Sequence, residues 1–407
     1  MRIRARITGA VQGVGFRPHV YRLAQRHGVK GFVLNCAAGV VVEAEAGDGA
    51  VRSFVEHLRV EPPSLAVIAS FQTDVLPDAG YREFRVEPSD TGGEPEAFLL
   101  PDLAMCPECR REIFTPSNRR YRYPFTTCTH CGPRYSIVES LPYDRPRTSM
   151  RDFPMCEACE AEYRDPADRR FHAQTNCCPE CGPHLQLWSP AGAALSERDE
   201  ALRQAAEAVR NGRVLALKGI GGFHLICDAR NREALLELRR RKQRPSKPFA
   251  VMLPGHEHPL LHTPASPIVL VDNTLALPEE IAPGNPLLGV MIPYTPLHAL
   301  LMEELGFPIV ATSGNLTDDP ICHDEREALE RLRGIADLFL VHNRRILRPV
   351  DDSIVREIGG EAVILRRARG YAPLPLEAPR ELPEMFAAGG HMKNTVAFAR
   401  GRRVFLS

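Results

Sequence analysis

An imbalance of charge is missing from this chain: its 407 residues carry 51 Lys plus Arg against 51 Asp plus Glu, a formal net charge of zero. A protein held to nucleic acid or to an anionic membrane by its global field needs an excess of basic residues. Neither is expected as an obligatory partner, and only a local basic patch is left open. Long apolar runs are missing too. No stretch approaches the roughly 20 residues of a membrane helix, and the opening MRIRARITGAVQG lacks the apolar core of a secretory signal. The expected location is the cytoplasm, with no membrane partner. Aromatic residues are scarce, at 7% of the chain with a single Trp, which weakens any nucleic-acid reading based on base stacking near the cysteines.

What the chain does have is length and cysteine. A chain of 407 residues exceeds one ordinary core and predicts about two to four packed units. Residues 1–88 open on an alternating strand (Ile3, Ala5, Ile7), a glycine-rich turn and a helix over 16–27. Strands over 29–35 and 40–45, a helix over 51–59 and final strands around Val67 and Phe84 follow, a βαββαβ order of ferredoxin-like type. Residues 87–96 are rich in Pro, Gly, Ser and acids and read as a linker. Across 100–190 periodicity fades while Cys, Pro and Arg become dense, as where metal rather than an apolar core organises the chain. From 196 to 378 the pattern is α/β, with a helix over 198–211 and a buried strand over 214–217. After the proline-rich PLPLEAPRELPE, residues 385–407 begin a strand-like pattern too short to close a domain, so the chain is expected to be cut short. The expected fold class is multidomain, α+β followed by a metal module and then α/β.

Eight of the 12 cysteines form four C-x-x-C pairs. Cys106, Cys109, Cys128 and Cys131 have the spacing C-x2-C-x18-C-x2-C, and Cys156, Cys159, Cys178 and Cys181 repeat it. Each pair lets two thiolates face one ion, and two pairs supply the four-sulfur tetrahedral shell of Zn²⁺ with no position left for water. Two structural, non-catalytic zinc sites are therefore expected. Pairing within each repeat and an interleaved pairing use the same residues, and Cys177 beside Cys178 offers a second register, with Cys178 taken by the repeat spacing. His130 and His172 lie near the pairs as neighbouring rather than ligating groups. Cys36, Cys227 and Cys322 are expected to be buried small hydrophobes.

Two further stretches suggest anion chemistry. GAVQGVGFRP sets three glycines between strand and helix, so backbone N–H groups can curl round an anion while Arg17 adds a charged fork; the plain alternative is turn formation. In the third unit, KGIGGFHL follows an apolar strand, and RRRKQRPSKPFAVM places Lys242, Arg244 and Lys247 on a proline-stiffened strip. KGIGG is not a P-loop, because its Lys precedes the glycines. ATSGN, VDDSIVR and ILRRARGYAP complete the unit, with turn formation as their bland reading.

VQGVGFRPHV with GFVLN resembles the acylphosphatase signature, which implies that Arg17 and the loop hold a phosphoryl group and that Asn35 positions the attacking water. KGIGGFHL, the K-x-R of Lys242 and Arg244, the S-x-N of Ser313 and Asn315, and ILRRARG resemble the YrdC family. That likeness implies that Lys242, Arg244, Ser313 and Asn315 contact ATP phosphates or an adenylate, with Lys218 and His224 lining the same cleft and Mg²⁺ accompanying the ATP. His224 also reads as a packed core histidine. Taken in order, the three units resemble the hydrogenase maturation carbamoyltransferases of the HypF family. The likeness implies hydrolysis of carbamoyl phosphate, formation of carbamoyl adenylate from ATP, and delivery of the carbamoyl group to a cysteine of a HypE-type acceptor protein for cyanide ligand synthesis. AAGGHMKNTVAFA, residues 387–399, resembles the opening of the family's final domain. The rival readings are a threonylcarbamoyl adenylate synthase of tRNA modification, against which the acylphosphatase signature argues, and a zinc-dependent nucleic-acid-binding module.

Overall fold

The computed structural model describes residues 1–93, 96–317, 319–390 and 395–407. Two compact units emerge, one of Met1–Leu100, Thr127–His130 and Ile137–Cys177, the other of Pro101–Thr126, Cys131–Ser136 and Cys178–Ser407.

In the first unit the chain runs β1 (Arg2–Ala10), α1 (Phe16–His27), β2 (Lys30–Cys36), β3 (Gly39–Glu45), α2 (Asp48–Val60), β4 (Val67–Leu76) and β5 (Phe84–Val86). The sheet order is β4-β1-β3-β2-β5, antiparallel except for β2 with β5. Alternation buries Ile3, Ala5 and Ile7 of β1, and the apolar stripes of the helices (Val20, Leu23 and Ala24; Val51, Phe54 and Leu58) are buried with them. The ferredoxin-like order expected from the sequence is present, with β5 as a short fifth strand. At the end of β1 the register with β4 shifts between Thr8 and Gly9, and a Cβ on Gly9 (φ +118°) would lie 2.1 Å from the Val67 carbonyl oxygen. Only glycine fits this bulge, which turns the chain from strand into the loop over 11–15.

One charged knot lies within this sheet. Glu43 is 1% exposed and accepts hydrogen bonds from Arg2 Nε (2.9 Å), Arg4 Nε (2.8 Å) and the Tyr81 hydroxyl (2.6 Å). Burial alone would raise its pKa, but the bonds from Tyr81, Arg2 and Arg4 outweigh burial and hold the carboxyl below its usual range. A depressed carboxylate pKa gives stability that is complete above the unfolded value, about 4.3, and is lost as pH falls below it. Glu43→Gln should cost about 1–3 kcal/mol at neutral pH and flatten the acid limb of the stability curve, read by urea unfolding between neutrality and roughly pH 3. An unchanged acid limb in the variant would show that Glu43 does not govern it.

Two short helices, α3 (Pro107–Phe114) and α4 (Glu157–Arg164), start directly after Cys106 and Cys156. The second unit continues with β6 (Leu185–Trp188), β7 (Ala194–Glu197), α5 (Arg198–Arg210), β8 (Leu215–Lys218), β9 (Phe223–Asp228), α6 (Arg232–Lys242), β10 (Ala250–Met252), β11 (Ile268–Asp272) and β12 (Leu287–Met291). It then runs through α7 (Pro296–Leu305), β13 (Ile309–Ser313), α8 (Glu325–Arg331), β14 (Leu338–His342), β15 (Ile354–Ile358) and β16 (Glu361–Arg366). Strands β6 to β16 form one mixed sheet of order β16-β15-β11-β12-β10-β13-β9-β8-β14-β6-β7. Its core gathers Phe223, Leu225, Leu235, Leu238, Phe249 and Phe339.

The strand pattern expected from Met385 begins earlier, within the proline-rich run, as β17 (Leu376–Ala388), paired antiparallel with β18 (Val396–Leu406). Its register shifts between Glu377 and Leu382 and again between Leu382 and Met385, bracketing Pro379 and Pro383. Proline has no N–H to give a ladder, so the strand tolerates it only where pairing is interrupted. Of the stretch likened to the opening of a final domain, His391, Met392, Lys393 and Asn394 lie outside the described residues.

Candidate functional sites

The glycine loop is held from several sides. Val11, Val14 and Phe16 are buried, Gly13 and Gly15 take left-handed conformations, and α1 carries no acid in its first turn, leaving its N–H groups available to an anion. Gln12 donates to the carbonyls of Cys36 (2.7 Å) and Gly39 (2.8 Å) and accepts the Tyr143 N–H (2.7 Å). Arg17, in the first turn of α1 and 8% exposed, donates to Asp144 Oδ1 at 2.9 Å and reaches Ser89 Oγ at 3.4 Å. Asn35, on β2, is 1% exposed, and neither its amide oxygen nor its amide nitrogen has a hydrogen-bond partner among the described residues. A buried amide left in that state is costly, so such a group usually serves binding. His172 sits near Arg17, and burial followed by that cation drives its pKa down to about 3, so the imidazole stays neutral. Gln12, Asp144 and His172 extend the sequence reading; Asp144 had no local signal, since it lies 127 residues from Arg17.

The cysteines gather as Cys106, Cys109, Cys128 and Cys131, and as Cys156, Cys159, Cys178 and Cys181, with the four sulfurs of each group all within 4.8 Å of one another. The grouping follows each repeat rather than interleaving, and Cys177 is buried outside it. The Cys178 and Cys181 sulfurs are 3.8 Å apart. That matches the edge of roughly 3.8 Å in a tetrahedron with metal–sulfur bonds of about 2.3 Å. Backbone N–H groups of Cys109 and His130 approach Cys106 Sγ (3.5 Å) and Cys128 Sγ (3.4 Å), which favours thiolate. Both groups thus fit a structural zinc ion. No disulfide links the described cysteines. Cys227 and Cys322 are buried as expected, and burial pushes the Cys322 thiol up to about 11. Cys36 corrects the expectation: it is half-buried, because alternation along β2 turns Gly31, Val33 and Asn35 inward and Phe32, Leu34 and Cys36 to the more open face.

In the second unit the end of α6 brings Lys242 to the loop after β13. Lys242 is fully buried, and its Nζ donates to the carbonyls of Ser313 (2.6 Å) and Asn315 (2.5 Å) and to Asn315 Oδ1 (2.9 Å). Ser313 Oγ donates to the same Oδ1 at 2.7 Å. Beyond the left-handed Gln243, Arg244 donates to the Pro248 carbonyl (2.5 Å), reaches Thr312 Oγ1 (3.4 Å) and lies 5.3 Å over the Phe249 ring. Burial, then Arg239 and Arg366, lower its pKa to about 10, the mark of cations crowded where an anion would relieve them.

Lys242, Arg244, Ser313 and Asn315 are therefore assembled, and β9 sets His224 opposite Ser313. Lys218 is not brought to them. It pairs with Phe223, the residue before His224, so it stands on the other face of the sheet. There its buried ammonium pairs with Glu325 and donates to the carbonyls of His342 (3.2 Å) and Arg344 (3.1 Å). His224 Nε2 is 3.0 Å from Asp352 Oδ2, and Arg369 Nε donates to Asp352 Oδ1 at 2.7 Å. VDDSIVR and ILRRARG stand out in the sequence; what the sequence does not reveal is that Asp352 and Arg369 meet behind His224.

The acylphosphatase family profile matches residues 3–86, a profile described as HypF finger matches 105–138 and 155–188, and one described as telomere recombination matches 207–368. The carbamoyltransferase HypF of Synechocystis sp. is 50% identical over 420 residues, covering 100% of this chain and 55% of the relative. That of Rhodobacter capsulatus is 46% identical over 424 residues, covering 99% and 55%. A crystal structure of full-length HypF in the phosphate- and nucleotide-bound form superposes with a TM-score of 0.93 at 43% identity, covering 100% of this chain and 55% of that one. The chain spans about half the length of the curated relatives it matches. With an acylphosphatase-like ferredoxin unit, two cysteine tetrads of finger type and a YrdC-like α/β unit in that order along its whole length, the chain belongs to the HypF carbamoyltransferase family.

Proposed function

We propose that this chain carries the two activation steps of carbamoyl transfer: hydrolysis of carbamoyl phosphate to carbamate and phosphate, then reaction of carbamate with ATP to give carbamoyl adenylate and pyrophosphate. The observation that carries this reading is the coexistence of the two anion sites, the Arg17 and Asn35 loop and the Lys242, Arg244, Ser313 and Asn315 cluster, in one member of a carbamoyltransferase family.

At the first site Arg17 and the loop N–H groups neutralise the phosphoryl oxygens, while the Asn35 amide orients water. An acyl phosphate already has a good leaving group, so orientation and charge neutralisation suffice without a nucleophilic side chain. At the second site a carbamate oxygen attacks the α-phosphorus of ATP and pyrophosphate departs. Arg244 lies where the phosphates' negative charge is balanced, while Lys242 holds the Ser313 to Asn315 turn in shape. Mg²⁺ bound with ATP supplies further neutralisation. Two zinc ions, one per tetrad, have a structural role. In full-length members of the family the carbamoyl group passes to the C-terminal cysteine of a HypE-type acceptor, in the cytoplasm. No helix among the described residues is long and apolar enough to cross a membrane.

The test is ATP–pyrophosphate exchange by the zinc-loaded chain. Exchange that requires carbamoyl phosphate, is indifferent to threonine with bicarbonate, and falls about 100-fold or more in Arg244→Ala is the expected result. Exchange driven by threonine and bicarbonate instead would replace this reading with threonylcarbamoyl adenylate synthesis.

A further inference from the structure

A carboxylate stands beside the arginine of the glycine-loop site. Arg17 donates from Nη2 to Asp144 Oδ1 at 2.9 Å, while Oδ2 of the same side chain makes no hydrogen bond among the described residues. In a site for phosphoryl groups such an acid is a liability, because it repels the ligand and neutralises the guanidinium meant to hold it. Folding has little need of the pair, since the Asp144 side chain is 22% exposed and an ion pair open to water contributes little.

The placement of Asp144 is nevertheless built rather than incidental. On one side of it the Tyr143 N–H donates to Gln12 Oε1 (2.7 Å), and Gln12 is itself tied to the carbonyls of Cys36 and Gly39. On the other side Arg145 is buried, and its guanidinium donates to the carbonyls of Gln174 (2.8 Å), Asn176 (2.8 Å) and Phe153 (2.5 Å). The Arg145 N–H donates to Gln174 Oε1 (2.8 Å), and the Asp144 carbonyl accepts the Arg147 N–H at 2.8 Å. Both flanks thus fix the backbone and Arg17 fixes one carboxylate oxygen, leaving the lone pairs of the other unused.

A substrate with donors next to its phosphoryl group turns this liability into recognition. In carbamoyl phosphate only the bridging oxygen and the carbonyl carbon separate the NH₂ group from phosphorus. A phosphoryl group held by Arg17 and the loop N–H groups therefore brings the NH₂ into the hydrogen-bonding range, about 3 Å, of a carboxylate that touches the same guanidinium. We propose that Asp144 accepts an N–H of the carbamoyl group through Oδ2 and is the specificity determinant of the hydrolytic site, selecting carbamoyl phosphate over acetyl phosphate. This role rests on the hydrolysis reading above and adds to it: Arg17, Asn35 and the loop serve any acyl phosphate, and the acid chooses the acyl group. An acetyl methyl has no proton to give, so it strips water from one side of the carboxylate without replacing the lost hydrogen bond.

The experiment measures kcat/KM for carbamoyl phosphate and for acetyl phosphate on the zinc-loaded chain, by phosphate release corrected for spontaneous breakdown, and compares their ratio between variants. Asp144→Ala should lower kcat/KM for carbamoyl phosphate by about 10- to 100-fold while that for acetyl phosphate holds or rises, so the ratio falls about 10-fold or more. A bond to the NH₂ group is present in the ground state and the transition state alike, so the change should fall on KM rather than kcat. Asp144→Asn matches the shape and keeps an acceptor oxygen without the charge; it should give an intermediate ratio, and it keeps the proposal testable if the Ala variant folds poorly. If Asp144 merely orients Arg17, both substrates lose equally, and an unchanged ratio in the two variants would overturn the proposal. Absence of hydrolysis of either acyl phosphate by the unaltered chain would instead remove the hydrolysis reading itself.

Discussion

Arg17→Ala should lower kcat/KM for carbamoyl phosphate hydrolysis by about 10³-fold or more, with the fold and the second-unit exchange with directly supplied carbamate intact. The side chain is 8% exposed, in the first turn of a helix without acids, where under the proposed function a guanidinium and aligned N–H groups would act together on phosphoryl oxygens. Its removal loses the long approach to Ser89 Oγ and strands Asp144, whose side chain is 22% exposed and can be hydrated, so little stability depends on it. Arg17→Lys should recover charge without the fork and hydrolyse at an intermediate rate. Asn35→Ala should lose about 10²-fold, again with little effect on stability, because the amide has no partner to lose among the described residues. Phosphate release under saturating carbamoyl phosphate checks all three variants. Full-rate release by Arg17→Ala would take the loop out of the mechanism.

Zinc removal should have a larger effect on structure than any point change. In α3 only Cys109 and Ile113 are buried, and in α4 only Cys159. Eight-residue helices with so little apolar surface do not persist by themselves. Structural zinc contributes about 10–16 kcal/mol in isolated fingers, so chelation at neutral pH should release two equivalents and lower the melting temperature by roughly 10 °C or more. The segment 137–177 carries Tyr143 and Asp144, which meet Gln12 and Arg17, so carbamoyl phosphate hydrolysis should decline in parallel with zinc release. Cys159→Ser should bind one equivalent and show the same decline. Zinc-free protein with an unchanged melt would assign the tetrads to some role other than folding.

The sequence carried the local features well, for local reasons. Helix α1 was readable to its last residue, because Gly15 and Gly28 punctuate an apolar stripe and both adopt left-handed caps. The two tetrads were readable because knuckle chemistry depends on spacing. Features that depend on long-range pairing were not. Tyr143 lies 131 residues from Gln12, and nothing in the intervening sequence announces that they meet. Lys218 and His224 stand in one motif, yet the hairpin between them turns their side chains to opposite faces, a consequence of register that KGIGGFHL alone does not reveal. Asp352 and Arg369 were visible as motif residues, but their common target is set by the sheet.

Among the described residues β17 and β18 pair with each other, and Met385, Phe386 and Phe398 are exposed at 50%, 67% and 41%. Exposed apolar strands of this kind invite another chain to add as a further strand. Pro379 and Pro383 withhold amide protons from β17, and the register breaks around them interrupt its line of hydrogen-bonding groups. The same prolines that disguised the strand therefore act as gatekeepers against edge-to-edge aggregation. Replacing both with Thr would restore an unbroken edge on a surface that already has the apolar side chains to recruit a neighbour.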